Sequence, residues 1–453
     1  MEGTELIERF VKSCPFAVLT QAAIRATIGD ELDKVFHSER SQQYEGEVLF
    51  SDVALTVADI ALGFAENPNQ AYKTQKENLG VSLTSFYNKM NATEPPISEG
   101  VVRRSAERAT EMIDELECPP WEVLRGYRVF ALDGNHLPET DKRLEPLRDA
   151  FDAPLPGTVV ARFDLQRQLF DRAYLLEDAH AQESSVKDRV VADLEPDDVI
   201  IADRHYCVLH FLRRIDEAQA AFAIRQHGRF KGILIGKRRR IGRISAGVVY
   251  EQEIRTSDRD DAFSMRRITL ELDEPTRDGD TVIHVLTNLP ARIAATLVAA
   301  LYGLRWEEEI GFYYLTTTLT CELPSLGQPR AALFLFCMAM LAFNLRQVMF
   351  AALYAEHDEE EVNEVSHFHV SVEVSRFTDG MLAVIDEQMW EQWIHSRRGD
   401  VAHLLREIAR SINIREYRKS RRGPKKNKEP PERTRPKTHL STAKALAAAR
   451  ETP

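Results

Sequence analysis

Hydrophobic residues recur at helical spacing through the first part of the chain. The segments DVALTVADIALGFAEN and GVVRRSAERATEMIDELE place apolar side chains three and four positions apart, as on one face of a helix. Between them, NLGVSLTSFYNKMN (78–91) contains Gly80 as a turn residue and Ser82 as a helix cap. This outline predicts a helix-turn-helix within an all-α N-terminal domain, although two plainly packed helices have the same pattern.

The pattern changes to strands after the Pro119-Pro120 pair. The predicted order is strand, strand, strand, helix, strand, helix, strand, over residues 127–133, 158–165, 168–177, 184–194, 198–203, 208–218 and 221–227. Strands that alternate with helices indicate a mixed sheet with helices packed on it. We therefore expect an α/β fold for this part of the chain.

Two later regions complete the predicted organisation. The runs RFKGILIG, GVVYEQEIR and MRRITLELDE predict a β-rich insertion, and AALFLFCMAMLAF (331–343) predicts a buried helix, because it is shorter than the roughly 20 apolar residues of a membrane span. The expected divisions are a helical N-terminal domain, the first part of the core, the insertion, the second part of the core with C-terminal helices, and a basic flexible tail, over residues 1–118, 119–226, 227–290, 291–410 and 411–453.

Composition favours a globular protein of the cytoplasm. The 453 residues are 43% hydrophobic and 29% charged, which is enough apolar material for a large core. The N-terminal MEGTELIERF is acidic where a secretion signal is basic, so no signal peptide and no membrane partner are expected. The scattered cysteines predict neither a disulfide framework nor a zinc site; they are Cys14, Cys118, Cys207, Cys321 and Cys337.

Charge is distributed unevenly along the chain. The net charge is −12, yet residues 411–453 hold 13 Lys plus Arg against 4 Asp plus Glu. A flexible basic arm of this kind suits contact with nucleic-acid phosphates, although a solvated disordered terminus has the same composition. The candidate phosphate contacts in this arm are Arg421, Arg422, Lys425 and Lys426.

A second basic cluster, GKRRRIGR (236–243), lies inside the predicted insertion. A solvated hairpin is the commoner meaning of such a charge run. Nucleic-acid contact is the alternative, and its candidate residues are Lys237, Arg238, Arg239 and Arg240.

Two aspartates follow buried strands. Asp133 stands in FALDGNH and Asp203 in VIIADRHYC. Ligand crevices of open α/β sheets lie beyond the carboxyl ends of strands, so both carboxylates could point into one site. Either residue alone could instead cap the following turn or helix.

The third acidic candidate is in YGLRWEEEIGFYYLTTT, which begins at Tyr302. On one continuous helix, Tyr302, Arg305, Trp306 and Glu309 share a face, and the two glutamates before Glu309 are expected to point elsewhere. If the helix crosses the sheet, Glu309 joins the two aspartates, and three carboxylates at one point need compensation by a hard cation, Mg²⁺ or Mn²⁺. The alternative is a surface helix with solvated glutamates, in which Tyr302 and Trp306 face the core.

Taken in order, these motifs resemble the DDE transposases of bacterial insertion sequences, specifically the insertion-sequence-four group. The group's signature Tyr-x2-Arg-x3-Glu-x6-Lys is matched by Tyr302, Arg305 and Glu309, with Trp306 directly after the Arg. The strings LDGNHLPETDKRLEPLR, ADRHYCVLHFL, AFAIRQHG and LAFNLRQ are also similar to family members. The resemblance extends from about residue 126 to 351.

The resemblance implies an RNase H-like catalytic core in which Asp133, Asp203 and Glu309 hold two Mg²⁺ or Mn²⁺ ions. It implies cleavage at the ends of a mobile element and joining of the freed 3′-hydroxyl to target DNA by in-line phosphodiester displacement. The expected partners are double-stranded DNA, as terminal inverted repeats and as target, and a second copy of the chain. The implied DNA contacts near the site are Tyr302, Arg305, Trp306 and Arg225.

One position departs from the signature. Thr316 stands where the group has a DNA-holding Lys. Two other functions therefore stay open: a catalytically impaired, transposase-derived DNA-binding protein, and an RNase H-like nuclease without strand transfer. A location in the bacterial cytoplasm, associated with the nucleoid, accompanies all three.

Overall fold

The structure is a computed structural model of the chain. It describes residues 2–28, 31–44, 46–257, 262–276, 279–397, 400–420 and 438–451. The predicted DNA contacts of the basic tail lie outside the described residues; they are Arg421, Arg422, Lys425 and Lys426.

The N-terminal region is helical, as its apolar spacing predicts. Its described helices are α1 (Glu2–Ser13), α2 (Pro15–Thr27), α3 (Glu31–Glu39), α4 (Phe50–Ala61), α5 (Pro68–Leu79), α6 (Leu83–Ala92) and α7 (Pro95–Glu115). Helix α5 ends at Leu79, and the next residue, Gly80, has a left-handed φ of 63°. The Ser82 side chain then accepts a 3.1 Å hydrogen bond from the Ser85 amide and caps α6. The predicted helix-turn-helix outline is confirmed as local structure, and its contact with DNA stays a prediction.

The middle of the chain alternates strands and helices. The described strands are β1 (Arg128–His136), β2 (Ala153–Leu155), β3 (Thr158–Asp164), β4 (Leu169–Leu176), β5 (Asp198–Ala202), β6 (Ala221–Arg225), β7 (Ile233–Ile244), β8 (Gly247–Arg255), β9 (Ser264–Leu272), β10 (Val282–Thr287) and β11 (His439–Ser441). Helices α8 (Lys187–Ala192) and α9 (Leu209–Glu217) connect β4 to β5 and β5 to β6. The predicted α/β class is therefore confirmed.

Among the described residues, nine strands form one mixed sheet in the order β4-β3-β1-β5-β6-β10-β9-β8-β7. Strand β1 is antiparallel to β3 and parallel to β5, and β5 is parallel to β6. The predicted β-rich segment supplies β7 to β10, which continue this sheet because β10 pairs with β6. Strand β7 is the exposed outer edge.

The C-terminal part consists mainly of helices. They are α10 (Ala295–Gly303), α11 (Arg305–Thr317), α12 (Pro329–Glu356), α13 (Glu359–Asn363), α14 (His367–Leu382), α15 (Glu387–Ser396), α16 (Val401–Ser411) and α17 (Thr442–Glu451). Helix α12 packs against α2, α4, α7 and α16. By length and composition alone it could cross a membrane. However, 89% of its most apolar 18-residue stretch is buried by the rest of the chain. The predicted buried helix is confirmed and is longer than the apolar run.

Side chains alternate between the two faces of the sheet, and each face has its own helices. Phe130, Leu132 and Ile200 pack with apolar residues of α8 and α9. Val129 and Ala131 point the other way, into the core that contains α12. Since every second residue of a strand shares a face, Asp133 lies on the α12 side.

The predicted flexible tail contains ordered structure at its described ends. Strand β11 pairs in parallel with β2, and Ser441 and Thr442 are fully buried. Lys444 Nζ lies 2.9 Å from an Asp178 carboxylate oxygen. The flexible-tail prediction does not hold for residues 438–451, because backbone pairing with β2 and a run of strongly helix-forming alanines order them.

Candidate functional site

The two predicted aspartates lie on neighbouring parallel strands. The register pairs Leu132 of β1 with Ala202 of β5, so Asp133 and Asp203 are the next residues on strands about 4.8 Å apart. Both follow the alternation onto the α12 face. Strand β1 continues past Asp133 to His136, whereas β5 ends before Asp203. The expectation that both carboxylates reach the same edge of the sheet agrees with this register.

The segment after Tyr302 is two helices rather than the predicted single one. Helix α10 ends at Gly303 and α11 begins at Arg305, with Leu304 between them. Helix α11 approaches the sheet closely at Gly311, where an added Cβ would lie 2.9 Å from Phe170 Cζ. The absence of a side chain at this position lets α11 pack over the strands.

Arg305 joins the first and third predicted carboxylates. Its Nη1 donates to Asp133 Oδ2 at 2.9 Å, and its Nη2 donates to Glu309 Oε1 at 2.7 Å. The Arg305 side chain is 13% exposed. Burial lowers the pKa of Arg305, but the charge of Asp133 and other nearby groups raises it above its usual value. The guanidinium therefore stays charged and holds both carboxylates.

The pKa of Asp133 is raised even though Arg305 pairs with its carboxylate. Burial raises the pKa of Asp133 to about 6, while the Arg305 charge and a 3.0 Å hydrogen bond from the Gly134 amide act in the opposite direction. The carboxylates of Glu183 and Glu309 raise it further. This pattern, burial combined with neighbouring like charges, is typical of functional sites.

Glu308 is a site residue that the sequence prediction placed wrongly. It is fully buried, and neither carboxylate oxygen has a side-chain hydrogen-bond partner among the described residues; the Asp133 backbone lies close enough to oppose the rise in its pKa. Burial and then the Asp133 charge raise the pKa of Glu308 well above its usual value. The signal was in the spacing, because Glu308 follows Arg305 by three positions and Glu309 by four, and both spacings share a helix face.

Glu183 is a second residue that the sequence did not reveal. An added Cβ at Gly134 would lie 2.4 Å from Glu183 Cδ, so this carboxyl group packs on β1 at the residue after Asp133, on the sheet face that carries α8 and α9. Its charge raises the pKa of both Asp133 and the buried Tyr206. Nothing in the surrounding sequence, AQESSVK, marks Glu183, and only the fold brings it to the site.

A cavity of about 720 Å³ gathers several of the predicted DNA contacts. Arg225, Tyr302, Arg305, Trp306 and Glu309 line it together. Burial and then the Asp203 charge raise the pKa of Tyr302 to about 12, so its hydroxyl stays protonated at neutral pH. Arg225 is held by a 2.7 Å ion pair with Asp280.

Trp306 is 57% exposed at this cavity. The Arg305 guanidinium lies 5.8 Å from the centre of its ring. An exposed indole beside a fixed cation is a surface on which a base or sugar can pack. This placement excludes the alternative in which Trp306 faces the core.

The predicted basic cluster lies on the exposed edge strand β7. Arg238 stacks 4.0 Å from the Tyr250 ring centre and pairs with Glu271 at 2.8 Å, and Arg239 pairs with Glu251 at 3.2 Å. Lys237 and Arg240 are also exposed. Part of the positive charge is thus neutralised within the sheet, and contact with DNA stays a prediction.

The Thr316 side chain hydrogen-bonds to the backbone of its own helix, α11. Its hydroxyl donates to the backbone carbonyls of Phe312 and Tyr313 at 3.1 and 3.2 Å. It has neither the reach nor the charge of the Lys in the signature. The departure seen in the sequence is therefore also a departure in chemistry.

The donor set suits a hard divalent cation. In the described ranges no three His, Cys, Asp or Glu side chains are grouped as metal ligands, and Arg305 is bonded to both Asp133 and Glu309. The oxygen-only chemistry and the buried carboxylate of Glu308 nevertheless fit Mg²⁺ or Mn²⁺. A dication would supply the compensation that these crowded carboxylates lack.

Comparison with known protein families finds a match that covers most of the sheet and the helix α11. The family described as "Transposase DDE domain" matches residues 163–345. The chain contains a transposase DDE domain. The match includes Asp203, Arg305 and Glu309, while Asp133 lies before its first residue.

Other comparisons add little to the domain match. No curated protein matches the chain. Among solved structures, a cryo-EM structure of a piggyBac transposase synaptic complex with hairpin DNA is 8% identical, with a TM-score of 0.39 over 90% of this chain and 87% of that chain.

Proposed function

We propose that the DDE domain makes this chain a DNA transposase that cleaves the ends of an insertion sequence and joins them to target DNA. The observation that carries the proposal is the double ion pair of Arg305 with Asp133 and Glu309, with Asp203 next to Asp133 on the adjoining strand. Residues far apart in sequence thereby meet at one end of two parallel strands. Membership of the insertion-sequence-four group is part of the proposal.

The proposed core is RNase H-like. Its support is the order β4-β3-β1-β5-β6, with antiparallel pairing among the first three strands and parallel pairing among the last three. The remaining strands would be the insertion between the second aspartate and the glutamate. The helices before β1 would form the N-terminal DNA-binding domain.

Asp133, Asp203 and Glu309 would hold Mg²⁺ or Mn²⁺. When bound, such ions activate a hydroxyl nucleophile and stabilise the leaving oxygen in phosphodiester displacement. Arg305 orients Asp133 and Glu309, because it donates a hydrogen bond to each. Burial and the Asp133 charge raise the pKa of the neighbouring Glu308, so a bound cation would favour its ionised form.

DNA would enter through the cavity that Tyr302 and Trp306 line. The protonated Tyr302 hydroxyl can donate to a phosphate oxygen, and the exposed Trp306 ring can pack against a base. The exposed basic residues of β7, and those of the tail, would contact phosphates farther along the duplex. We further propose that terminal inverted repeats are paired by a homodimer in the bacterial cytoplasm.

A second function is favoured by one observation. The Thr316 hydroxyl is bonded to its own helix and offers no cation to DNA. A descendant that binds element ends without cutting them would have this feature. All three acidic residues are present, which favours the active enzyme.

The deciding experiment measures cleavage and strand transfer of a labelled duplex that carries the inverted repeats flanking the gene. Wild type is compared with Glu309→Gln and with Glu360→Gln, which alters an exposed glutamate of α13. We expect wild type and Glu360→Gln to nick the repeat boundary and join it to target DNA, and Glu309→Gln only to bind. Binding without cutting by all three proteins would favour the impaired descendant, and cutting without joining would favour a nuclease.

A further inference from the structure

A second arginine lies among aromatic rings on the long helix α12. The Arg346 guanidinium is 4.3 Å from the Phe350 ring centre, 4.5 Å from that of Tyr314 and 5.7 Å from that of Phe343. Aromatic faces attract a cation but carry no net charge. The rings therefore solvate Arg346 in part and leave its charge uncompensated.

The polar contacts of Arg346 do not provide a counter-charge. Its Nη2 lies 2.5 and 2.8 Å from the two ring nitrogens of His367. Burial, and then the Arg346 charge, lower the pKa of His367 to about 2, so this ring is neutral. The buried Nε of Arg346 has no hydrogen-bond partner within the described ranges. In the same ranges, no carboxylate pairs with the guanidinium.

Arg346 lines a cavity of about 250 Å³ between α7, β3, α11 and α12. Arg167 lines it as well; its Nε is buried without a partner among the described residues, while its Nη2 pairs with Asp114 at 3.2 Å. Gln347 and Lys419 add an amide and an ammonium group. Glu307 is the acidic lining residue, and it forms no ion pair with Arg346 in the described structure.

An unpaired guanidinium in such a place is unfavourable. Removing it from water without a counter-ion loses several kcal/mol, as a general estimate for ions, and arginine does not escape by releasing its proton. Buried charges in proteins are accordingly paired. The missing partner is therefore an anion, and a planar guanidinium with amide and ammonium neighbours matches phosphate geometry.

We propose that this cavity binds a phosphate group, with Arg346 as its principal ligand. The cavity is separate from the proposed catalytic site, since Asp133, Asp203 and Glu309 do not line it. The phosphate could belong to a DNA backbone or to a free small molecule, because both present the same oxygens. The inference does not depend on the proposed transposase activity.

The test is isothermal titration of the full-length protein with inorganic phosphate, at constant ionic strength set with chloride. Wild type is compared with Arg346→Met and with Arg330→Met, which alters an arginine on the same helix that pairs with Glu177 outside the cavity. We expect saturable binding by wild type and Arg330→Met with dissociation constants within about twofold. Loss of a charge-assisted hydrogen-bonding group should weaken Arg346→Met at least about tenfold. Equal binding by all three, or no binding by wild type, would overturn the proposal.

A second variant keeps the proposal testable if Arg346→Met does not fold. Lys419→Met alters an exposed residue at the cavity and should weaken phosphate binding about threefold while the circular dichroism spectrum stays unchanged. If Arg346→Met is unfolded and Lys419→Met binds like wild type, the proposal fails.

The source of the phosphate is distinguished by competition on wild type. A dinucleoside monophosphate has only an internal phosphodiester, so its displacement of inorganic phosphate would identify a DNA backbone as the source. Binding of inorganic phosphate alone would identify a free phosphate. Either result supports the site, and failure of both to bind overturns it.

Discussion

Two partly buried arginines of this protein, Arg305 and Arg346, stand in opposite surroundings. Arg305 is bonded to Asp133 and Glu309, so two carboxylates share one guanidinium. Arg346 lies among aromatic rings and a neutral histidine and has no carboxylate partner in the described structure. One region has an excess of negative charge and the other an excess of positive charge. The first is suited to a cation and the second to an anion, and stability measurements can separate them.

The largest effect is expected from Arg305→Met. The substitution leaves Asp133 and Glu309 without their common partner, and breaking a buried ion pair usually reduces the free energy of unfolding by about 3–5 kcal/mol. The measurement is urea unfolding at pH 8 in the presence of a chelator. Arg330→Met, which removes a more exposed ion pair, is the control and should lose about 1 kcal/mol or less. Equal losses in both variants would contradict the assigned role of Arg305.

A smaller effect, with a defined pH dependence, is expected from Asp133→Asn. Burial raises the folded-state pKa of Asp133 to about 6, above the unfolded value of about 4. Its contribution to stability is therefore fully present below pH 4 and is lost as the pH rises through 6. Relative to wild type, the variant should gain on the order of 2 kcal/mol between pH 4 and pH 7.

Unfolding curves of both proteins across this pH range, without divalent cations, provide the measurement. Parallel pH profiles would show that Asp133 does not carry the raised pKa. Added Mg²⁺ should stabilise wild type more than Asp133→Asn at pH 7, because a ligand that binds only the folded state adds to its stability.

Crowding around the carboxylate-rich site is probed by Gly134→Ala. The new methyl group would meet the end of the flexible Glu183 side chain, which must move aside, so the free energy of unfolding should fall by about 1 kcal/mol, the low end of the range for overpacking. Gly228→Ala has open space around its new Cβ and should change stability little. Adding Glu183→Ala to Gly134→Ala should restore most of the loss. A thermal melt of the four proteins measures these differences, and failure of the double variant to recover would remove Glu183 from the site.

The smallest effect, and the only stabilising one at all pH values, is expected from Arg346→Met. In buffer without phosphate, an apolar side chain among the same rings should raise the free energy of unfolding by about 1 kcal/mol, because an uncompensated charge is removed. Urea unfolding with and without phosphate measures it, and phosphate should stabilise wild type alone. A loss of several kcal/mol without phosphate would show that Arg346 already has a protein partner.

The helical and extended segments could be predicted from the sequence because their patterns are local. The Gly80 turn and the Ser82 cap define the junction of α5 and α6, and a short continuous apolar run, VFAL, marks β1. The break at Leu304 was missed, since apolar spacing continues through it. The ordered strand β11 was missed as well, because its partner β2 lies nearly 300 residues earlier in the chain.

For the candidate site, the sequence by itself determined the residue types, the order of Asp133, Asp203 and Glu309, and the resemblance that made them candidates. Tertiary structure decided that Arg305 joins two of these carboxylates, that Glu308 is buried and that Glu183 packs on Gly134. It also left Arg346 without a carboxylate partner in the described structure. The physical reason is that charge compensation depends on distance in space and on burial, and neither can be read from spacing along the chain.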